Sequence, residues 1–135
     1  MIKTAQDTQL KQGLQADFKE TENHVQRLEE VFQMIGQNPR STNCPAIDGI
    51  IEEAKDVTGE VDETDVLDAA IIAAAQAIEH YEITRYGSLI AWATRLGRGD
   101  AARVLEQTLN EEKAADKRLT TIAESKVARP VRPLA

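Results

Sequence analysis

The sequence is poor in the residues that build disulfide frameworks, sheets and membrane spans. A single cysteine, Cys44, cannot form a disulfide within the chain, and the polar start Met1-Ile2-Lys3-Thr4-Ala5-Gln6-Asp7 lacks the apolar core of a signal peptide. A reducing compartment, the cytoplasm, is therefore expected. Aromatic residues make up only 4% of the chain while alanine is abundant, which favours closely packed helices over sheet. No stretch reaches the roughly 18 uninterrupted apolar residues of a membrane span. Even the most hydrophobic run, Val66 to Ala93, is broken by Glu79, His80, Glu82 and Arg85. Positive charge is also short: 16 basic residues against 23 acidic ones leave a net charge of −7, which repels nucleic-acid phosphates and anionic lipid surfaces. Neither nucleic acid nor membrane is expected as a partner.

What is present is helical periodicity. The chain of 135 residues fits one domain, with no internal repeat and no Gly/Ser linker to divide it. From about Ala5 to Ile35, Leu10, Leu14, Phe18, Val25, Leu28, Phe32 and Ile35 recur at steps of three, four or seven, and Gly36 and Pro39 end the run. Asn43 before Cys44-Pro45 reads as the N-cap of a short helix reaching about Val57. A third helix, capped by Asp62 or Thr64, runs from Val66 to about Leu96 and stops at Gly97 and Gly99. Asp100 caps a last helix, and Pro130 and Pro133 forbid its continuation, so residues 125–135 are expected as an extended tail beyond a bundle over residues 5–124. The expected architecture is an all-α bundle of three long helices and one short one.

Acids occupy positions on the apolar faces. On the third helix, Ile71, Ala75, Ile78, Glu82, Tyr86, Leu89 and Ala93 share one stripe, with Glu79 on its edge. On the last, Ala101, Leu105, Thr108, Glu112, Asp116, Leu119 and Ala123 do the same. Burying one unpaired carboxylate costs several kcal/mol, and gathering four raises their pKa values unless a cation offsets the charge. On the first helix, Glu20 and His24 are four apart along one flank of the stripe, a spacing that lets a carboxylate and an imidazole reach one metal. Inward glutamates with histidine from several helices form the ligand scheme of di-iron and di-manganese bundles; here Asp116 would stand where the second pair has histidine. Single pairs of this kind are also common on solvated faces, so the argument rests on three pairs together. His80 points to another side of its helix and Cys44 reads as a small, partly buried residue. No nucleophilic triad or phosphate loop is visible.

Three stretches carry a family resemblance: Glu20 to Glu29 (ETENHVQRLE), Asn43 to Glu53 (NCPAIDGIIEE) and Ala73 to Ile83 (AAAQAIEHYEI) continuing to Tyr86-Gly87, supported by Glu111 to Asp116 (EEKAAD). Over about residues 5–124 the chain resembles the bacterial ferritin-like stress proteins of the YciE/YciF type. The resemblance implies a ferritin-like four-helix bundle, often a homodimer, with a rubrerythrin-like dinuclear site. Matched by motif, its ligands fall on Glu20, His24, Glu79, Glu82, Glu112 and Asp116. That family's bundle opens with a further helix bearing another metal-binding glutamate, and Met1 falls near that helix's end, so one ligand and one wall are expected to be missing.

Two functions follow as expectations. The first is a bacterial stress-response protein holding two metal ions, iron first and manganese second, that react with dioxygen or peroxide as an oxidase or peroxidase. The second is a non-enzymatic helical stress or assembly protein with a degenerate or empty site, whose acids form a polar network with Arg85 or a partner.

Overall fold

The computed structural model describes residues 1–127, which form α1 (Thr8–Met34), α2 (Pro45–Gly59), α3 (Thr64–Arg95) and α4 (Gly99–Val127), with no strand among the described residues. Three long helices and one short one agree with the all-α expectation. α1 starts later than its periodicity suggested because Asp7 caps it, its carboxylate accepting the Leu10 N–H at 2.9 Å. At the other end Gly36 adopts φ +70°, and the Gln37 N–H returns to the Phe32 carbonyl. Gly97, at φ +74°, closes α3 in the same way, with the Arg98 N–H on Ala93. These left-handed turns suit glycine, which has no Cβ to clash.

The remaining caps differ from expectation. Cys44, not Asn43, is the N-cap of α2, because Pro45 takes the first helical position and the cap is the residue before it. α3 opens from Glu63 without a side-chain cap, so neither Asp62 nor Thr64 serves. Asp100 lies inside the first turn of α4, ion-paired to Arg98 at 3.0 Å, since the helix begins at once after the Gly97 turn. Residues 125–127, expected in the extended tail, continue α4; residues 128–135 lie outside the described residues.

α4 packs between α1 and α3, and α2 lies on the far side of α3. Side-chain pairs linking 17 with 118, 24 with 111 and 27 with 108 run α1 against α4 in opposite directions. The links from Gln76 to Thr120 and from His80 to Asp116 do the same for α3, so α1 and α3 are parallel. Where the N-terminal ends of α1 and α3 meet the C-terminal half of α4, Ala5, Leu10, Leu14, Leu67, Ile71, Ile72, Ala75 and Leu119 form the apolar core. Toward the other end Ala101, Ala102 and Leu105 are buried along α4.

Beyond Leu14, α1 differs from its expected orientation. The stripe residues Phe18 and Val25 are 61% and 52% exposed, whereas His24, on the flank, is 5% exposed. α4 covers that flank of α1, while Leu14 and Phe18 of the stripe border an open groove of about 560 Å³ between α1 and α3, with Ala75, Ile78 and Glu79 on its other side.

Asp68, 2% exposed, ties the start of α1 to α3 by accepting the Gln6 N–H at 2.8 Å and the Asp7 N–H at 2.9 Å. Replacing it by alanine leaves two amides without their acceptor, so Asp68→Ala is expected to cost about 2–4 kcal/mol and Asp68→Asn, which keeps one acceptor, less. The urea midpoint at unchanged m-value measures this, and equal midpoints for wild type and Asp68→Ala would remove the clamp from the account of stability.

Candidate metal centre

The middle of the bundle is polar. One oxygen each from Glu79 and Glu82 of α3 and Glu112 of α4 lie within 4.8 Å of one another. Glu79 and Glu112 are 9% and 3% exposed, and Glu82 is half-buried. α3 supplies two acids because residues three apart lie on neighbouring positions of one face. His24 of α1 lies at the edge of the group, its Nδ1 2.8 Å from Glu112 Oε1 and its Nε2 2.9 Å from Glu111 Oε2. Arg27, one turn along α1, forks onto Glu111, with Nη2 donating to Oε1 at 2.9 Å and Nη1 to Oε2. Nη1 also donates to the hydroxyl of Thr108 at 3.3 Å, and Thr108 is 1% exposed.

Burial, reinforced by hydrogen bonds to Glu112 and its charge, pushes Glu79 up to about 10 and Glu82 to about 8 from an ordinary 4.5. Burial acts on Glu112 in the same upward sense, but the hydrogen bonds it receives from His24, Glu79 and Glu82 outweigh it and hold this carboxyl at about 2. Burial would lower His24; its hydrogen bonds and charge pairing with Glu112 and Glu111 prevail and raise it. Arg27 keeps Glu111 below the usual carboxylate range. Without a metal, the pocket thus holds one Glu112 carboxylate and two glutamates kept protonated at neutral pH, beside an imidazole shifted toward its protonated form. Burial and the nearby Glu82 also raise the Tyr86 phenol to about 12, so it remains a neutral wall of the site.

This donor set fits a divalent cation. Three carboxylates converge from α3 and α4 with the His24 imidazole of α1 against one of them, and Glu79 Oε2 is buried without a hydrogen-bond partner. Two of the six residues expected as ligands lie elsewhere. Glu20 accepts from Arg118 Nη2 at 3.2 Å, alongside Asp17 at 2.8 Å from the same nitrogen. Asp116 meets His80 Nε2 at 3.0 Å and the Gln76 amide at 3.2 Å. The cation in the site network is Arg27 rather than Arg85, which instead stacks over the Tyr81 ring at 5.1 Å and donates to its hydroxyl. That hydroxyl lies 3.3 Å from the half-buried Cys44 sulfur, and this contact together with the N-terminal amides of α2 lowers the thiol pKa. Sequence reasoning missed Arg27 and the part played by Glu111; the signal was Arg27 three residues beyond His24 on the same flank.

Comparison with known proteins agrees with this architecture. A family model described as a domain of unknown function (DUF892) matches residues 1–132. Protein YciF of Escherichia coli strain K12 is 39% identical over 124 residues, spanning 91% of this chain and 75% of that protein. Among solved structures, YcfI of Rhodopseudomonas palustris superposes with a TM-score of 0.87 at 53% identity, over 89% of this chain and 76% of that one. The crystal structure of the E. coli stress protein YciF gives a TM-score of 0.90 at 38% identity, over 96% and 82%. With the helix arrangement, the family model and the relatives in agreement, the chain belongs to the DUF892/YciF family of ferritin-like stress proteins.

Proposed function

We propose that this chain is a non-enzymatic ferritin-like protein whose site has contracted to a single divalent-cation position. The carrying observation is that, among the described residues, only Glu79, Glu82 and Glu112 converge, with His24 at their edge, while Glu20 and Asp116 are held by Arg118 and His80. A pocket of three carboxylate groups and one imidazole suits Fe(II) or Mn(II). When bound, the ion offsets the charge that the protein otherwise suppresses by keeping Glu79 and Glu82 protonated. Glu112 and the two α3 glutamates hold it, His24 supplies a nitrogen, and Tyr86 and the flanking apolar residues limit water. The ion then acts as a cross-link between α1, α3 and α4.

The test is elemental analysis of protein purified anaerobically without chelator, with its mass in solution and its melting temperature. This reading expects about one iron or manganese per chain and a Tm rise with Mn(II) that Glu82→Ala abolishes, because a ligand that binds only the native state stabilises it. No bound metal and an unchanged Tm after reconstitution would sink it. A second reading is a di-iron, rubrerythrin-like site reacting with dioxygen or peroxide in a cytoplasmic homodimer. The buried, partnerless Glu79 Oε2 favours it, and it requires Glu20 and Asp116 to leave their present ion pairs. Two ions per chain, with consumption of peroxide, would establish that reading instead.

A further inference from the structure

We infer that Arg27 and Glu111 are positioning residues: they fix the His24 ring so that Nδ1 faces the carboxylate pocket while Nε2 keeps its proton. The inference rests on the metal site proposed above and concerns residues outside its ligand set. An imidazole can bind a cation through only one nitrogen, and the partner of the other nitrogen selects which. In this structure the two nitrogens face different carboxylates. Nδ1 lies 2.8 Å from Glu112, a member of the pocket, and Nε2 lies 2.9 Å from Glu111, which is not.

Glu111 would be a fourth acid beside the pocket if it were free to turn. It is not free: the Arg27 fork takes both of its oxygens, and Arg27 is anchored in turn on the buried Thr108 hydroxyl. A two-point fork fixes the carboxylate plane in a way that a lysine point charge does not. The fork therefore does two things. It holds an acceptor opposite Nε2, and it neutralises a charge that would otherwise compete for the ion. The order Arg27, Glu111, His24, pocket is a chain of hydrogen bonds that ends on one nitrogen lone pair.

The experiment uses the full chain labelled with 15N-histidine, with Zn(II) as a diamagnetic probe. His24 and His80 are the only two imidazoles, and His24→Asn assigns their signals. In the wild type, Zn(II) is expected to shift His24 Nδ1 to a metal-bound position while Nε2 remains protonated and its proton exchanges slowly. Glu111→Ala is expected to weaken Zn(II) binding about 10- to 100-fold, and Glu111→Gln, whose amide oxygen still accepts from Nε2, to recover most of that loss. Arg27→Lys should fall between wild type and Glu111→Ala. Zinc bound through Nε2 would overturn the inference, as would Glu111→Ala with undiminished affinity. If His24 signals stay unmoved while Glu112→Gln abolishes binding, the metal site stands and the positioning role falls; a wild type that binds no zinc removes both. The wild-type spectrum does not depend on Glu111→Ala, so misfolding of that variant cannot mask the answer.

Discussion

Raising the pH from 6 to 9 is expected to weaken the metal-free protein and, over the same interval, to strengthen metal binding. Glu79 and Glu82 carry pKa values raised to about 10 and about 8, so the folded chain holds protons that the unfolded chain releases above its ordinary 4.5. Stability from a raised group is complete below the unfolded value and is lost as pH climbs through the folded one, here between 4.5 and about 10. His24, raised from 6.5, adds loss in the same direction. Glu112 works oppositely: held at about 2, its contribution is present above 4.5 and disappears as the solution is acidified toward 2. The metal-free optimum therefore lies in the mildly acidic range, and the fall to pH 9 should be at least about 3 kcal/mol, or about 10 °C or more in Tm for a chain of this size.

A divalent cation reverses the slope. To bind between Glu79, Glu82, Glu112 and the His24 nitrogen it displaces up to three protons, one each from Glu79, Glu82 and His24. Affinity then rises about tenfold per pH unit for each proton released, at least about a hundredfold from pH 6 to 8. Mn(II) titrations at several pH values, read by calorimetry in buffers of different ionisation enthalpy, count those protons directly. Affinity independent of pH would mean that the ion sits outside the protonated pocket.

The fold was legible because periodicity, glycine stops and proline positions act locally. Gly36 and Gly97 end helices by a backbone conformation that the sequence announces, and Pro45 marks the first turn of α2. The acids of the site were legible for the same reason: Glu79, Glu82 and Glu112 recur with the core residues at helical spacing. Periodicity gives the angle of a residue about its own helix axis, however, and not the neighbour that covers it. α4 faces two helices, so its inward stripe divides. Glu112 meets α3 and His24, whereas Asp116, one turn further, turns to Gln76 and His80. On α1 the stripe is core only at Leu10 and Leu14; beyond them Phe18 and Val25 are exposed, and the flank with His24 is the buried side. The ion pairs of Glu20 with Arg118 and of Glu111 with Arg27 join residues about 80 to 100 positions apart, and no local pattern encodes which cation meets which acid.

Two neighbouring glutamates should respond to substitution with opposite sign. Glu112 is the charge that His24, Glu79 and Glu82 all lean on, so Glu112→Ala strands a buried imidazole and two carboxyl groups; a loss of about 3 kcal/mol is expected in the metal-free protein. Glu79 is in the reverse position. It is 9% exposed, kept neutral by burial, and leaves Oε2 without any partner. Replacing it with methionine, of similar length and without polar atoms to desolvate, should raise metal-free stability by about 1–2 kcal/mol. Both substitutions should abolish the Tm rise with Mn(II). This pairing separates a binding site from a structural network, because a network loses stability whichever member is removed, whereas a site holds some groups against the interest of the empty fold. Urea midpoints for wild type, Glu112→Ala and Glu79→Met, each with and without Mn(II), decide between them. A destabilised Glu79→Met would place Glu79 among the supports of the bundle, and a stabilised one that no longer responds to metal would identify it as a ligand retained for the ion.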